Sequence, residues 1–170
     1  ALQLHGAAHY LQLTLSEASL FALGGLKLPL WFTANQWDIT PVIFRNTLFE
    51  DDGIGLADYQ DAGIEMQIST PARAMLECLS LCPDGFPLVE GYELMEGLAT
   101  LRPGSVQELL ESCKSIKTKR LFLYFAQRAG HSWFKHIDTS RIELGNGNRS
   151  LVKGGVLVPK YKLVLPEELA

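Results

Sequence analysis

Apolar residues recur at helical spacing through the middle of the chain and alternate with polar ones toward either end, so the pattern predicts strands, then helices, then strands again. Four helices are expected. The first follows Ser69, Thr70 and Pro71, a hydroxyl cap with proline in the first turn. Its buried stripe is Met75, Leu76 and Leu79, and it should end near Pro83-Asp84-Gly85. A second over 89–99 turns Tyr92, Leu94, Met95 and Leu98 inward, and a third over 105–114 does the same with Val106, Leu109, Leu110 and Cys113. The fourth, capped by Thr118 and stopped at Gly130, contains the unbroken apolar run 121–126, which is stable only if buried.

Before this block, Leu11 to Leu15 alternates apolar and polar, and 18–23, 37–44, 56–60 and 64–68 are further strand candidates, the last two joined as a hairpin by Asp61-Ala62-Gly63. Pro29 disfavours helix at Leu28 and a central strand position, and Pro41 pushes its strand toward a sheet edge. The opening Ala1-Leu-Gln-Leu-His-Gly6 reads as the last turns of a helix stopped by glycine, so the chain is expected to begin in mid-element. After the helices, 141–144, 151–153 and 156–165 return to strand, separated by glycine turns. The order implies an α+β fold: a mixed or antiparallel sheet of the amino-terminal strands and the terminal strand group, packed on a block of about four helices. A length of 170 residues suits one domain spanning 1–170.

Charge changes this picture. The formal net charge is -4, yet up to Thr100 three basic residues face thirteen acidic ones, whereas from Leu101 onward twelve basic face six acidic. A basic face of this kind fits a polyanion partner, and equally fits two solvated faces of opposite sign. Lys114, Lys117, Lys119 and Arg120 lie directly before the buried run, with Arg128, Lys135, Arg149 and Lys153 beyond it. These eight are the candidate nucleic-acid or phosphate contacts. No run approaches the roughly 18 apolar residues that span a bilayer, and no secretory signal is present, so the expected setting is the cytoplasm.

Other chemistry is thinner. Cys78 and Cys82 sit at i, i+4 beside Leu79 and Leu81, and with Cys113 they read as reduced core thiols; no matching Cys or His pair follows to complete a metal site. His5 and His9 are separated by Gly6 and make a poor metal pair. Glu50-Asp51-Asp52-Gly53 lacks the spaced ligands of a calcium loop. Asp58 and Glu65 on the hairpin resemble nuclease carboxylates, with Gln67 where a lysine is wanted. His131, near Cys113 or Ser132, is a candidate general base for an enzyme, and Trp31, Phe32, Phe134 and Tyr161 are candidates for a protein-interaction surface. No metal, cofactor or catalytic set is expected.

The segments Ser69-Thr-Pro-Ala-Arg-Ala74, Leu94-Met-Glu-Gly-Leu98, Leu101-Arg-Pro103, Val106-Gln-Glu-Leu-Leu110, Lys119-Arg-Leu-Phe-Leu123, Gly130-His131 with Trp133, Ile142-Glu-Leu-Gly145 and Lys153-Gly-Gly155 together resemble the AbiEi antitoxins of type IV toxin–antitoxin, abortive-infection operons. The resemblance covers essentially the whole chain. It implies a carboxy-terminal antitoxin domain that assists repression, following an upstream winged helix-turn-helix that binds operator DNA and is not part of this chain. It also implies a nucleotidyltransferase-like toxin opposed without a stable complex. The family's glycine loop usually offers Gly-Lys-Arg, which could hold a phosphate through backbone N–H groups and two cations. Here it reads Gly147-Asn148-Arg149, leaving Arg149 alone in that role.

Overall fold

The computed structural model describes residues 1–6, 17–22, 27–45, 48–51 and 53–170. The strand expected over 11–15 lies outside them, as does His9. The described chain is α+β, with a helical block and three small sheets.

Strands β1 (Glu17–Ala22) and β2 (Thr40–Arg45) pair in parallel as a two-stranded sheet, and the short helix α1 (Leu30–Ala34) lies between them in sequence. Each strand of such a pair is an edge, which accommodates Pro41 opposite Ala18. Pro29 takes the cap position of α1, so the proline that disfavours helix before it starts one after it. β3 (Leu56–Asp61) and β4 (Ile64–Ser69) form the expected antiparallel hairpin, closed by Ala62 and Gly63 with φ of 47° and 80°. Positive φ at both central residues suits the right-handed twist of the flanking strands.

Helix α2 (Pro71–Leu81) begins where the sequence places it, but through proline rather than a hydroxyl: Thr70 makes no side-chain capping bond. The Ser69 hydroxyl instead donates to Glu77 Oε2 at 2.8 Å. Glu77 is buried and paired with the equally buried Arg73 at 2.8 Å. Arg73 also donates to the Ile54 carbonyl at 2.6 Å and lies over the Phe49 ring, so one ion pair fastens the hairpin base to the helices.

α2 packs against α5 (Ile116–Arg128), α3 (Leu88–Glu96) and α4 (Pro103–Ser112), and α3 also meets α5. Every residue from Thr118 to Leu123 is buried, so α5 is enclosed on all sides rather than along one stripe. Its cap is Ser115, not Thr118. The Ser115 Oγ accepts from the Thr118 amide at 3.3 Å and from the Thr118 hydroxyl at 2.8 Å. Gly130, at φ 70°, ends the helix as the sequence implies.

The terminal segment departs most from expectation. Residues 141–144 form no strand: Thr139–Arg141 is a 3-10 turn, and Ile142, Glu143 and Leu144 are irregular. Pairing begins at β5 (Arg149–Ser150), and the stretch 156–165 breaks into β6 (Val156–Val158) and β7 (Leu163–Leu165) around a turn in which Lys162 has φ 52°. The order is β5-β7-β6, with β7 central and its Leu163 and Leu165 fully buried.

Candidate nucleic-acid interface

The eight cations singled out in the sequence divide into three groups. Lys119 and Arg120 are 4% and 1% exposed, so the two at the centre of the expected surface belong to the interior. The cause is the all-round enclosure of α5. A long cationic side chain on such a helix must either reach water at its tip or find acceptors inside. Arg120 does the second. Its Nε donates to the Leu144 carbonyl at 2.7 Å, Nη2 to Gly145 at 2.9 Å, and Nη1 to Gly147 at 2.7 Å and Lys162 at 3.3 Å. Four neutral carbonyls and no carboxylate hold this charge.

A second group, half-buried Lys117 and exposed Arg128, is engaged by partners. The Lys117 ammonium donates to the carbonyls of Ser80, at 2.9 Å, and Cys82, capping the end of α2; burial pushes its pKa down. Arg128 stacks on Tyr92 and donates to the carbonyls of Glu168 and Ala170 at 2.8 and 3.0 Å, which holds the last residues against α5. The third group comprises Lys114, Lys135, Arg149 and Lys153, exposed and with no side-chain partner among the described residues.

Arg149 and Lys153 lie in an unusual neighbourhood, because no acidic residue occurs between Glu143 and Glu167. The same segment adds exposed Lys160 and Lys162, which a search centred on the helix passes over. The absence of any Asp or Glu there was the signal that could have found them. Arg149 pairs with Leu163 across β5 and β7, and its amide donates to the Lys162 carbonyl at 2.8 Å, so Arg149 and Lys162 are neighbours. That carbonyl also receives Arg120. Burial, and then the charge of Arg149, lower the pKa of Arg120. The terminal sheet therefore carries exposed cations above a buried one, with no carboxylate of its own.

Residues 16–166 match the family described as "Transcriptional regulator, AbiEi antitoxin, Type IV TA system". The chain belongs to the AbiEi antitoxin family. No curated protein and no solved structure matches it. In this AbiEi domain His131 is engaged structurally. Its Nε2 donates to the Met95 carbonyl at 2.6 Å and its ring stacks on Trp133, itself bonded to the Leu98 carbonyl at 2.8 Å. Burial pushes the Cys82 thiol up to about 11 and also raises those of Cys78 and Cys113, the opposite of what a nucleophile needs. Asp58 faces Gln67 across the hairpin and accepts from its amide at 3.3 Å. Among the described residues of the AbiEi domain, no group of three or more His, Cys, Asp or Glu is placed to hold a metal, and no helix is long and apolar enough to cross a membrane.

The aromatic residues suggested for protein contact separate as well. Tyr161 is buried, donating to Gln127 Oε1 at 2.6 Å, and Phe134 packs against the core. Trp31 is 67% exposed beside Leu30 at 82%. Phe32 and Trp37, ring centres 5.1 Å apart, line a surface cavity of about 330 Å³ with Pro41.

Proposed function

We propose that this chain is the antitoxin-bearing domain of its operon's regulator: that it opposes a nucleotidyltransferase-like toxin without a stable complex, and that it assists repression by laying its terminal sheet against the phosphate backbone of operator DNA. Sequence readout belongs to a winged helix-turn-helix of the kind the resemblance implies. We assign the domain no catalysis. One observation carries the reading: Arg149, Lys153, Lys160 and Lys162 are exposed on a segment without a single acidic side chain. Of the four cations Lys114, Lys117, Lys119 and Arg120, only Lys114 is exposed enough to join them. Phosphate contacts give affinity without sequence information, as an assisting surface requires.

The test is binding of the chain to duplex DNA from its own promoter, followed by fluorescence anisotropy across a salt series. On duplex DNA the log–log slope steepens by about 0.9 per phosphate contact. The variant combining Arg149→Ala, Lys153→Ala and Lys162→Ala should lower the slope by about 2 to 3. An unchanged slope overturns the placement. Antitoxin activity is read separately, as rescue of growth when the chain is expressed with the neighbouring toxin. A second reading, contact with another protein, is favoured by the exposure of Leu30 and Trp31. Copurification with the toxin that is lost in Trp31→Ser would support it.

A further inference from the structure

The loop between the 3-10 turn at Thr139–Arg141 and β5 has its polarity imposed from below. The carbonyls of Leu144, Gly145 and Gly147 all point at the Arg120 guanidinium, at 2.7, 2.9 and 2.7 Å. Among the described residues the only cis peptide is Cys82–Pro83, so the peptide units of this loop are trans. In a trans planar peptide the N–H is antiparallel to the C=O of the same unit. The units whose carbonyls face Arg120 therefore aim the amides of Gly145, Asn146 and Asn148 away from it, toward the solvent side. None of these three amides has an acceptor among the described residues, and residues 145–149 are all exposed. Gly145 and Gly147 hold φ of 59° and 73°, the left-handed steps that let neighbouring amides converge into a concave nest.

Positive charge surrounds this nest. Arg149 comes directly after it, exposed and without a partner, and Lys162 sits beside it across the strand pair. Arg120 contributes a fixed charge from beneath, neutralised by no carboxylate. We propose that the loop Gly145–Arg149 is a phosphate-binding site, in which the amides of Gly145, Asn146 and Asn148 donate to the oxygens of one phosphate group and the Arg149 guanidinium closes over it. A tetrahedral anion with several oxygens offers three converging amides more acceptors than a planar carboxylate does. Arg120 supplies a second positive charge from inside the fold. Where the phosphate belongs to a nucleic-acid backbone, the site rests on the proposed operator contact; where it is free or terminal, the site stands by itself.

The experiment is an amide-resolved NMR titration of the ¹⁵N-labelled chain at constant ionic strength, first with inorganic phosphate against a chloride control, then with promoter duplex. With phosphate, the Gly145, Asn146 and Asn148 signals should move downfield and saturate, and Arg149→Ala, on an exposed side chain, should weaken the response about tenfold. Movement of the same three signals with duplex assigns the phosphate to the nucleic-acid backbone. Movement with inorganic phosphate alone upholds the site, assigns it to a free or terminal phosphate and removes the nucleic-acid reading. Signals that stay still in both titrations overturn the site, and they do so even if the duplex binds elsewhere on the chain.

Discussion

Arg120→Ala is the most informative single change, because one side chain joins the central helix to the terminal segment. The variant deletes four hydrogen bonds, at 2.7, 2.7, 2.9 and 3.3 Å, each from a charged donor to a neutral carbonyl. Such bonds contribute about 1.5–3 kcal/mol apiece in isolation. Two effects reduce the sum. The buried guanidinium no longer has to be kept out of water, and several freed carbonyls keep or regain a donor, Lys162 from the Arg149 amide and the exposed Gly145 and Gly147 from water. A net loss of about 3 kcal/mol remains. With an m-value near 2 kcal/mol per molar urea, the midpoint should fall by about 1.5 M at unchanged slope. Arg149→Ala, one residue beyond the same loop but exposed, should stay within about 0.5 kcal/mol. A midpoint for Arg120→Ala within about 0.3 M of the parent would refute the carbonyl cage as a structural tie.

Three further outcomes are expected. Glu77→Gln or Arg73→Met, breaking a buried pair from one side, should each cost about 3–5 kcal/mol by urea denaturation, whereas a volume-matched double replacement should cost much less. Gly155→Ala should destabilise by about 1–3 kcal/mol, because an added Cβ runs into the Leu165 carbonyl, whose carbon would lie 2.9 Å away; a neutral result would show that β6 can shift off β7. The pH dependence comes from the thiols. Burial raises the pKa of Cys78, Cys82 and Cys113 above their ordinary value of 9.0, that of Cys82 to about 11. The folded chain then holds more protons than the unfolded one above pH 9, so stability should fall as pH climbs from there, and native thiols should resist an aromatic disulfide reagent at pH 8 until the chain unfolds.

The helices were legible because their apolar spacing records burial directly: Val106, Leu109, Leu110 and Cys113 are all inside, as their periodicity says. Their starts were less so. Ser115 and Thr118 are both competent caps, and only three-dimensional geometry decides that Ser115 accepts and Thr118 donates. The segment 141–144 reads as strand, yet its Leu144 carbonyl goes to a guanidinium more than twenty positions earlier, a partner that no local pattern reveals. The burial of Lys119 and Arg120 was hidden for a related reason. Sequence reasoning assigns cations to the solvated side of a helix, and that rule fails on a helix with no solvated side there. For the candidate site, the glycine loop and Arg149 could be read from the chain, but the source of its second cation could not.

The Arg120 bonds also bear on how fast the molecule comes apart. They connect residues 24, 25, 27 and 42 positions distant, whereas the helix they start from is built from near neighbours. Closing such long loops is entropically slow, so the terminal sheet should dock onto an already assembled helical block, after the rate-limiting barrier. In a chevron experiment Arg120→Ala should then refold at close to the parent rate and unfold about a hundredfold faster. The buried arginine would thus govern the lifetime of the native chain, and with it the chain's exposure to cellular proteases, more than the speed with which it forms.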